Sequence, residues 1–394
     1  MINTLTLTSG MPLGPDARTV FRLLENLQGG MLELRLPDGA LASFGKGVPG
    51  AVLEVNDEAM FGRVLARGDI GFAEAYLDGQ WDTPDLTGLL TLLARNRDGL
   101  GRALYGQWSG LLAARLRHLF NRNSRAGSKR NIMAHYDLGN EFYRAWLDDT
   151  MSYSAALFSS VADTLETAQV AKYLRILDRL QAQSGERILE IGCGWGGFAA
   201  VASQLGLPMT GLTLSPAQLA WAQQRVPEAD LRLQDYRDIK EKYDHIVSIE
   251  MFEAVGERWW PTYFATIARA LQPGGRAVIQ TITIRDDLFA AYRKGTDFIQ
   301  QYIFPGGMLP AKSEFRRQAG RQGLIVRDEF AFGLDYARTL ALWREAFEAN
   351  WPRIAALGFD DSFRRLWRFY LAYCEAGFRA GSIDVVQFEL GHRA

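Results

Sequence analysis

Arg187-Ile188-Leu189-Glu190-Ile191, running into Gly192-Cys193-Gly194-Trp195-Gly196-Gly197, is the stretch on which the fold of this chain turns. The first five residues read as a buried strand and the six that follow as a glycine loop opening a helix. Glycine is needed wherever backbone must approach a ligand closely or adopt positive φ. A glycine turn between a strand and a helix also aims free N–H groups at a bound ligand. Taken alone, Gly192-x-Gly194-x-x-Gly197 fits a dinucleotide site as well.

The flanking residues separate the options. A dinucleotide site expects an acid about 20 residues on for the ribose hydroxyls. That region reads Gly211-Leu212-Thr213-Leu214-Ser215-Pro216, with no acid, whereas Glu190 precedes the glycines. The order E-x-G-x-G-x-G is the fingerprint of S-adenosylmethionine-dependent methyltransferases, in which the acid lies near the amino-acid end of the cofactor. Gly192, Gly194 and Gly196 would let that end pass over the backbone. Ser215-Pro216 starts a helix with a cap and a first-turn proline. Thr213, Ser215 and Gln218, with Leu214 between them, are placed to meet the ribose. Leu231–Tyr236 reads as a third strand ending in Gln234, Asp235 and Tyr236, groups suited to an adenine. Tyr243–Ile249 and Arg276–Ile282 supply a fourth and a fifth. Strands alternating with helices imply a parallel sheet with its ligands at the carboxyl ends.

At 394 residues, the chain is long for one core, since domains usually hold roughly 100–200 residues. Lys plus Arg number 44 and Asp plus Glu 45, a net charge of −1, without the basic excess of a nucleic-acid binder. Two cysteines and four scattered histidines argue against a disulfide framework or a metal site. No Lys or Arg precedes Arg18, and no apolar run reaches the roughly 18 residues of a spanning helix, so a cytoplasmic chain is expected. Met31–Leu36, then Pro37-Asp38-Gly39, reads as a hairpin, and Ile70–Leu77 and Leu86–Leu93 as amphipathic helices. Residues 99–136 contain no acid but carry Arg102, Arg115, Arg117, Arg122, Arg125, Lys129 and Arg130. That run is either a solvated helix edge or a face for anionic lipid head groups. Asn121 to Ser128 has the composition of a linker.

Several long motifs, in order, resemble the cyclopropane-fatty-acyl-phospholipid synthases. They are His135-Tyr136-Asp137-Leu138-Gly139-Asn140-Glu141-Phe142-Tyr143, Met151-Ser152-Tyr153-Ser154, Glu190–Gly197, Leu233–Asp238, Met251-Phe252-Glu253 and Tyr302-Ile303-Phe304-Pro305-Gly306-Gly307. The resemblance implies an α/β chain with two parts. A smaller α+β lipid-carrier-like domain (residues 1–120) and a linker (121–130) precede a seven-stranded, Rossmann-like class I methyltransferase domain (131–394). It implies S-adenosylmethionine as cofactor, with Tyr153 and Ser154 joining the residues above, and one-carbon transfer to a cis double bond of a phospholipid-bound acyl chain. A cyclopropane is the expected product. The alternatives are a methyl- or methylene-branched chain, a different small substrate, or a carrier that keeps only the fold. A homodimer working peripherally at the inner face of the membrane is also implied.

Methyl transfer to an alkene leaves a carbocation, so the site must exclude water, offer aromatic faces and place a base. Phe298, Tyr302, Phe304, Phe332, Tyr336 and Trp343 are candidates for those faces. Synthases of this kind hold a bicarbonate ion as base through a Cys, a Glu, a His and a Tyr. By resemblance these positions are Ala155, Glu253, Gln280 and Tyr336, so two of the four ligands are replaced. Glu253, Tyr336 and Gln280 are therefore the catalytic candidates, with Glu250 able to fill the role of Glu253. Cys374 matches a cysteine proposed as a nucleophile in such enzymes, although the mechanism needs no thiolate.

Overall fold

The computed structural model describes residues 13–48, 50–97, 99–100 and 138–393. The basic run at 101–130, the expected linker and the start of the His135 motif lie outside them. The chain divides into two compact units, Met1–Phe120 with Lys294–Ile303 and Gly358–Ser382, and Asn121–Arg293 with Phe304–Leu357 and Ile383–Ala394. The first unit thus takes in two segments from the C-terminal third of the chain.

In the first unit, β1 (Gly30–Arg35) and β2 (Leu41–Lys46) form the expected antiparallel hairpin, with β3 (Gly50–Val55) parallel to β1 and β4 (Trp81–Asp82) closing the sheet. Leu32 and Leu34 point into the core while their neighbours do not, as alternation demands. The helix expected from Ile70 begins at Ala59 and bends at Gly68, whose φ of 61° only glycine adopts easily. Helix Leu86–Arg95 is capped by Asp85, which accepts from the Gly88 N–H. Helix Asp361–Arg379 is tied into the same unit by Thr87 donating to Glu375 at 3.1 Å and by Arg365 on Asp82.

The second unit is built on β5 (Ile188–Ile191), β6 (Met209–Thr213), β7 (Asp230–Leu233), β8 (Tyr243–Ile249), β9 (Leu271–Ile284), β10 (Leu324–Ala331) and β11 (Ile383–His392). Their order is β10-β11-β9-β8-β5-β6-β7, with β5 to β9 parallel and β10 and β11 antiparallel. Every residue of β5 is buried, as in a strand covered on both faces. One face carries Phe252, Trp260, Tyr263, Phe264 and Phe315, and the other Tyr173, Ile176, Leu177 and Phe198. The third strand stops at Leu233, short of the expected Tyr236. Asp235 instead accepts the Arg237 N–H and caps a short 3-10 turn over Tyr236–Asp238. The chain leaves β5 towards β6 on one side, while β8 lies on the other. Such a switch point opens a crevice at the carboxyl ends of the strands.

Candidate active site

Glycine shapes the floor of that crevice. Gly192, Gly194 and Gly196 all have positive φ, at 88°, 52° and 81°. A Cβ at Gly194 would meet nothing within 4 Å, so this backbone faces open space. A Cβ at Gly196 would press on Ala222 at 3.2 Å, which gives that glycine a packing role against helix Pro216–Arg225. Helix Gly197–Gln204 then points its first turn into the crevice.

A cavity of about 160 Å³ sits above the loop. Of the residues expected to hold the cofactor, Tyr153, Ser154, Glu190, Gly192, Gly194, Thr213, Leu214, Gln218, Gln234, Asp235 and Tyr236 line it. Gly196 and Ser215 do not. Ser215 instead caps its helix, accepting from the Gln218 N–H. The wall also includes Met151, Ser152, Trp195, Arg237 and Met251, which stand in the quoted motifs but were not expected to hold the cofactor, and Tyr173, which lies outside those motifs. Thr213 donates to Gln218 Oε1 at 3.0 Å, pre-setting two of the polar groups.

Glu190 is buried, and its Oε2 has no hydrogen-bond partner among the described residues. Burial pushes its carboxyl up to about 8, opposed by the Lys172 ammonium. An orphaned acid beside an open glycine loop fits the cationic amino-acid end of S-adenosylmethionine. The polar groups of Thr213, Gln218, Gln234 and Asp235 suit its ribose and base.

At the end of β8 the structure departs from expectation. Glu250, not Glu253, lines the cavity. Its Oε1 accepts from the Ala155 N–H at 2.8 Å and from Gln280 Nε2 at 2.7 Å, and its Oε2 accepts from the Tyr336 hydroxyl at 2.6 Å. Three of the four positions matched to bicarbonate ligands therefore converge on a carboxylate that belongs to the chain. Glu250 sits at φ 50°, a left-handed conformation that costs a non-glycine residue roughly 1–2 kcal/mol and is typical of functional sites. Burial raises its pKa, and the Tyr336 hydrogen bond, the Lys172 charge, the Ala155 amide and Gln280 oppose that rise. Glu253 lies alongside. Its Oε1 accepts from Thr281 Oγ1 at 2.9 Å and from the Ile282 N–H, while burial and the Glu250 charge push its carboxyl up to about 8. The Glu253 carbonyl is held by the Met308 N–H at 2.9 Å.

Lys172 braces this arrangement from helix Leu165–Leu180. Its Nζ donates to Ser154 Oγ at 2.6 Å and to Gln169 Oε1, and Gln169 Nε2 donates to the Ser154 carbonyl at 2.8 Å. Ser154 is gripped at both ends, which aims the next amide, Ala155, at Glu250. Tyr153, Trp146, Tyr336 and Trp343 contact one another nearby, with Tyr153 and Trp343 centroids 5.3 Å apart and Tyr336 and Trp343 6.1 Å apart. Phe298 and Tyr302 belong to the first unit, where Phe298 packs on Phe369 and Tyr302 bonds Glu74. Cys374 is also in that unit, on helix Asp361–Arg379, and burial drives its thiol well above the ordinary range. No helix among the described residues is long and apolar enough to cross a membrane.

The profile of the mycolic acid cyclopropane synthetase family matches residues 123–388. Among curated relatives, the tuberculostearic acid methyltransferase of Mycobacterium tuberculosis is 41% identical over 348 residues, covering 84% of this chain and 81% of that one. The cyclopropane-fatty-acyl-phospholipid synthase of Escherichia coli is 38% identical over 341 residues, covering 86% and 87%. Among solved structures, the mycolic acid cyclopropane synthase CmaA1 complexed with S-adenosylhomocysteine is similar with a TM-score of 0.62 and 34% identity, over 66% of this chain and 97% of that one.

Proposed function

The chain belongs to the mycolic acid cyclopropane synthetase family and is an S-adenosylmethionine-dependent methyltransferase, and from that premise we propose that it transfers one carbon to a cis double bond of a phospholipid-bound unsaturated acyl chain. When bound, S-adenosylmethionine supplies an electrophilic methyl carbon. The chain's own residues do the rest. The glycine loop and Glu190 orient the donor, and the Tyr153, Trp146, Tyr336 and Trp343 cluster offers aromatic faces to a cation formed where water is excluded. The observation that carries the reading is the Glu250 carboxylate, held by Ala155, Gln280 and Tyr336 beside the donor cavity.

The alkene π pair forms the new C–C bond, the sulfonium leaves with the C–S pair, and positive charge appears on the neighbouring alkene carbon. Loss of a proton from the new methyl to the Glu250 carboxylate lets that C–H pair close a cyclopropane. If a hydride first shifts from the methylated carbon to its neighbour, loss of the same proton leaves a methylene branch. Cyclopropane formation is the first reading. A methylene-branched product is the second, favoured by a protein carboxylate standing among the residues that match an ion's ligands. Purified protein with S-adenosylmethionine and vesicles of a monounsaturated phospholipid tests both. A gain of CH2 with upfield cyclopropyl protons by NMR gives the first, and vinylidene protons give the second. An unmodified acyl chain beside a methylated small molecule would overturn the reading.

We further place this reaction at the inner face of a membrane, approached from the cytoplasm, because its substrate is lodged there and the acid-free run of residues 99–136 suits an anionic surface. The resemblance adds a homodimer, readable by sedimentation.

A further inference from the structure

Gln280 is held in turn, and the order of its contacts is directional. It lies on β9 directly opposite Gln387 on β11, and both side chains are buried. Gln387 Nε2 donates to Gln280 Oε1 at 3.0 Å, and Gln280 Nε2 donates to Glu250 Oε1 at 2.7 Å. At the far end, Arg175 Nη1 of helix Leu165–Leu180 donates to Gln387 Oε1. The guanidinium is fixed by stacking over the Phe330 ring at 4.0 Å and by Nη2 reaching Asp328 at 3.3 Å.

We propose that Arg175 is a positioning residue for the proton acceptor Glu250, acting through Gln387 and Gln280 as a one-way chain of donors. This deepens the function proposed above and rests on Glu250 taking the proton. An amide side chain can present either its carbonyl or its NH2, whereas a guanidinium only donates. Arg175 therefore turns the Gln387 carbonyl towards itself, leaving the Gln387 NH2 for the next amide. Gln280 must then accept from Gln387 and offer its own NH2 to Glu250. Reversing Gln280 would set two NH2 groups against each other in a buried place, where an unmet donor is costly. The Ala155 N–H also only donates. At Oε1 a protonated Glu250 would find donors where it needs an acceptor, so the chain of amides favours the carboxylate that catalysis requires.

Other charges act on the two ends. Lys172, Glu253 and the Tyr336 hydroxyl face Glu250, while Asp328, Arg179 and Asp178 surround Arg175. A test must therefore separate the chain from the charge. Gln387→Leu cuts the chain and keeps the Arg175 charge. Arg175→Met removes the terminal donor, and Arg175→Lys keeps a cation that only donates.

The experiment is the pH profile of kcat for these variants and for Glu250→Gln. It is paired with infrared difference spectra of the S-adenosylhomocysteine-bound proteins, in which the protonated carboxyl of residue 250 is identified by its loss in Glu250→Gln. Glu250 must be ionised to accept a proton, so activity rises with pH through its pKa. Gln387→Leu and Arg175→Met should move that acidic limb up by about one pH unit, a tenfold loss of turnover below it. The carboxyl band should persist to correspondingly higher pH, and Arg175→Lys should restore the wild-type limb. A limb and a band that stay put in both Gln387→Leu and Arg175→Met, with Glu250→Gln inactive, would overturn the proposal alone. Full turnover in Glu250→Gln would instead overturn the role of Glu250. The infrared band still reports on the chain if a variant is too slow to assay, and melting temperatures show that it is folded.

Discussion

The Tyr336 hydroxyl donates to Glu250 Oε2 at 2.6 Å across 86 residues of sequence, joining helix Gly333–Ala349 to the loop after β8. A phenol held this way stabilises the carboxylate without competing for its proton, because the ordinary phenol pKa lies far above that of a carboxylic acid. On the proposed function, the pair supplies a base from the protein itself.

Removing that base should be severe. Glu250→Gln is expected to lose about 10²-fold or more in kcat, the usual worth of a positioned general base, with unchanged affinity for S-adenosylhomocysteine. Turnover in degassed buffer should be the same with and without added bicarbonate. A rate restored only by bicarbonate would show that the ion is still used.

Gly194 and Gly197 should fail differently. A side chain at Gly194 enters open space in the protein, so Gly194→Val should abolish S-adenosylhomocysteine binding, with only a modest fall in melting temperature from strain at positive φ. A Cβ at Gly197 would come within 2.7 Å of the Tyr173 hydroxyl, so Gly197→Ala should mainly lower stability. Calorimetric titration beside thermal melts distinguishes the two.

Binding should release a proton near neutral pH. Glu190 has its pKa raised to about 8 by burial, so it is largely protonated at pH 7 before the cofactor arrives. A cationic amino group beside it favours the carboxylate, so affinity should strengthen as pH rises towards about 8 and level off above. Titrations at pH 7 in buffers of different ionisation enthalpy measure that proton, which should vanish in Glu190→Gln.

Stability of the ligand-free protein should fall as pH rises from about 5 to about 8. Glu190 and Glu253 hold their protons to about 8 in the folded chain, against an ordinary carboxyl value of 4.5. Across that window the folded state binds more protons than the unfolded one, so the slope of stability with pH is negative. Urea midpoints at three pH values in the window give the sign directly, and Glu253→Gln should flatten the slope.

Association with anionic vesicles should weaken with salt, since surface charges are screened over about 8 Å at physiological ionic strength. Charge reversal at Arg115, Arg117 and Arg122 should weaken it further. Co-sedimentation that ignores both changes would remove the basic run from the account of membrane binding.

Much of the fold and most of the cofactor crevice were legible in the sequence, for a local reason. The glycine loop, the acid before it and the Ser215 cap are encoded by neighbours in the chain, where conformational need and residue type coincide. Alternation in β1 and the three apolar residues that flank Glu190 in β5 are equally local. The place of the base was not. Glu250 and Glu253 both follow β8 at similar distance, and only the partners choose between them. Those partners, Gln280, Tyr336 and Ala155, lie 30, 86 and 95 residues away, on different elements. The membership of helix Asp361–Arg379 in the first unit has the same origin, since Thr87 and Glu375 meet across 288 residues. Residue type and spacing determined the open glycine loop of Gly192–Gly197 behind a buried acid. Which carboxylate stands beside it was decided by packing, because a buried charge takes its ionisation and orientation from the groups that surround it in space.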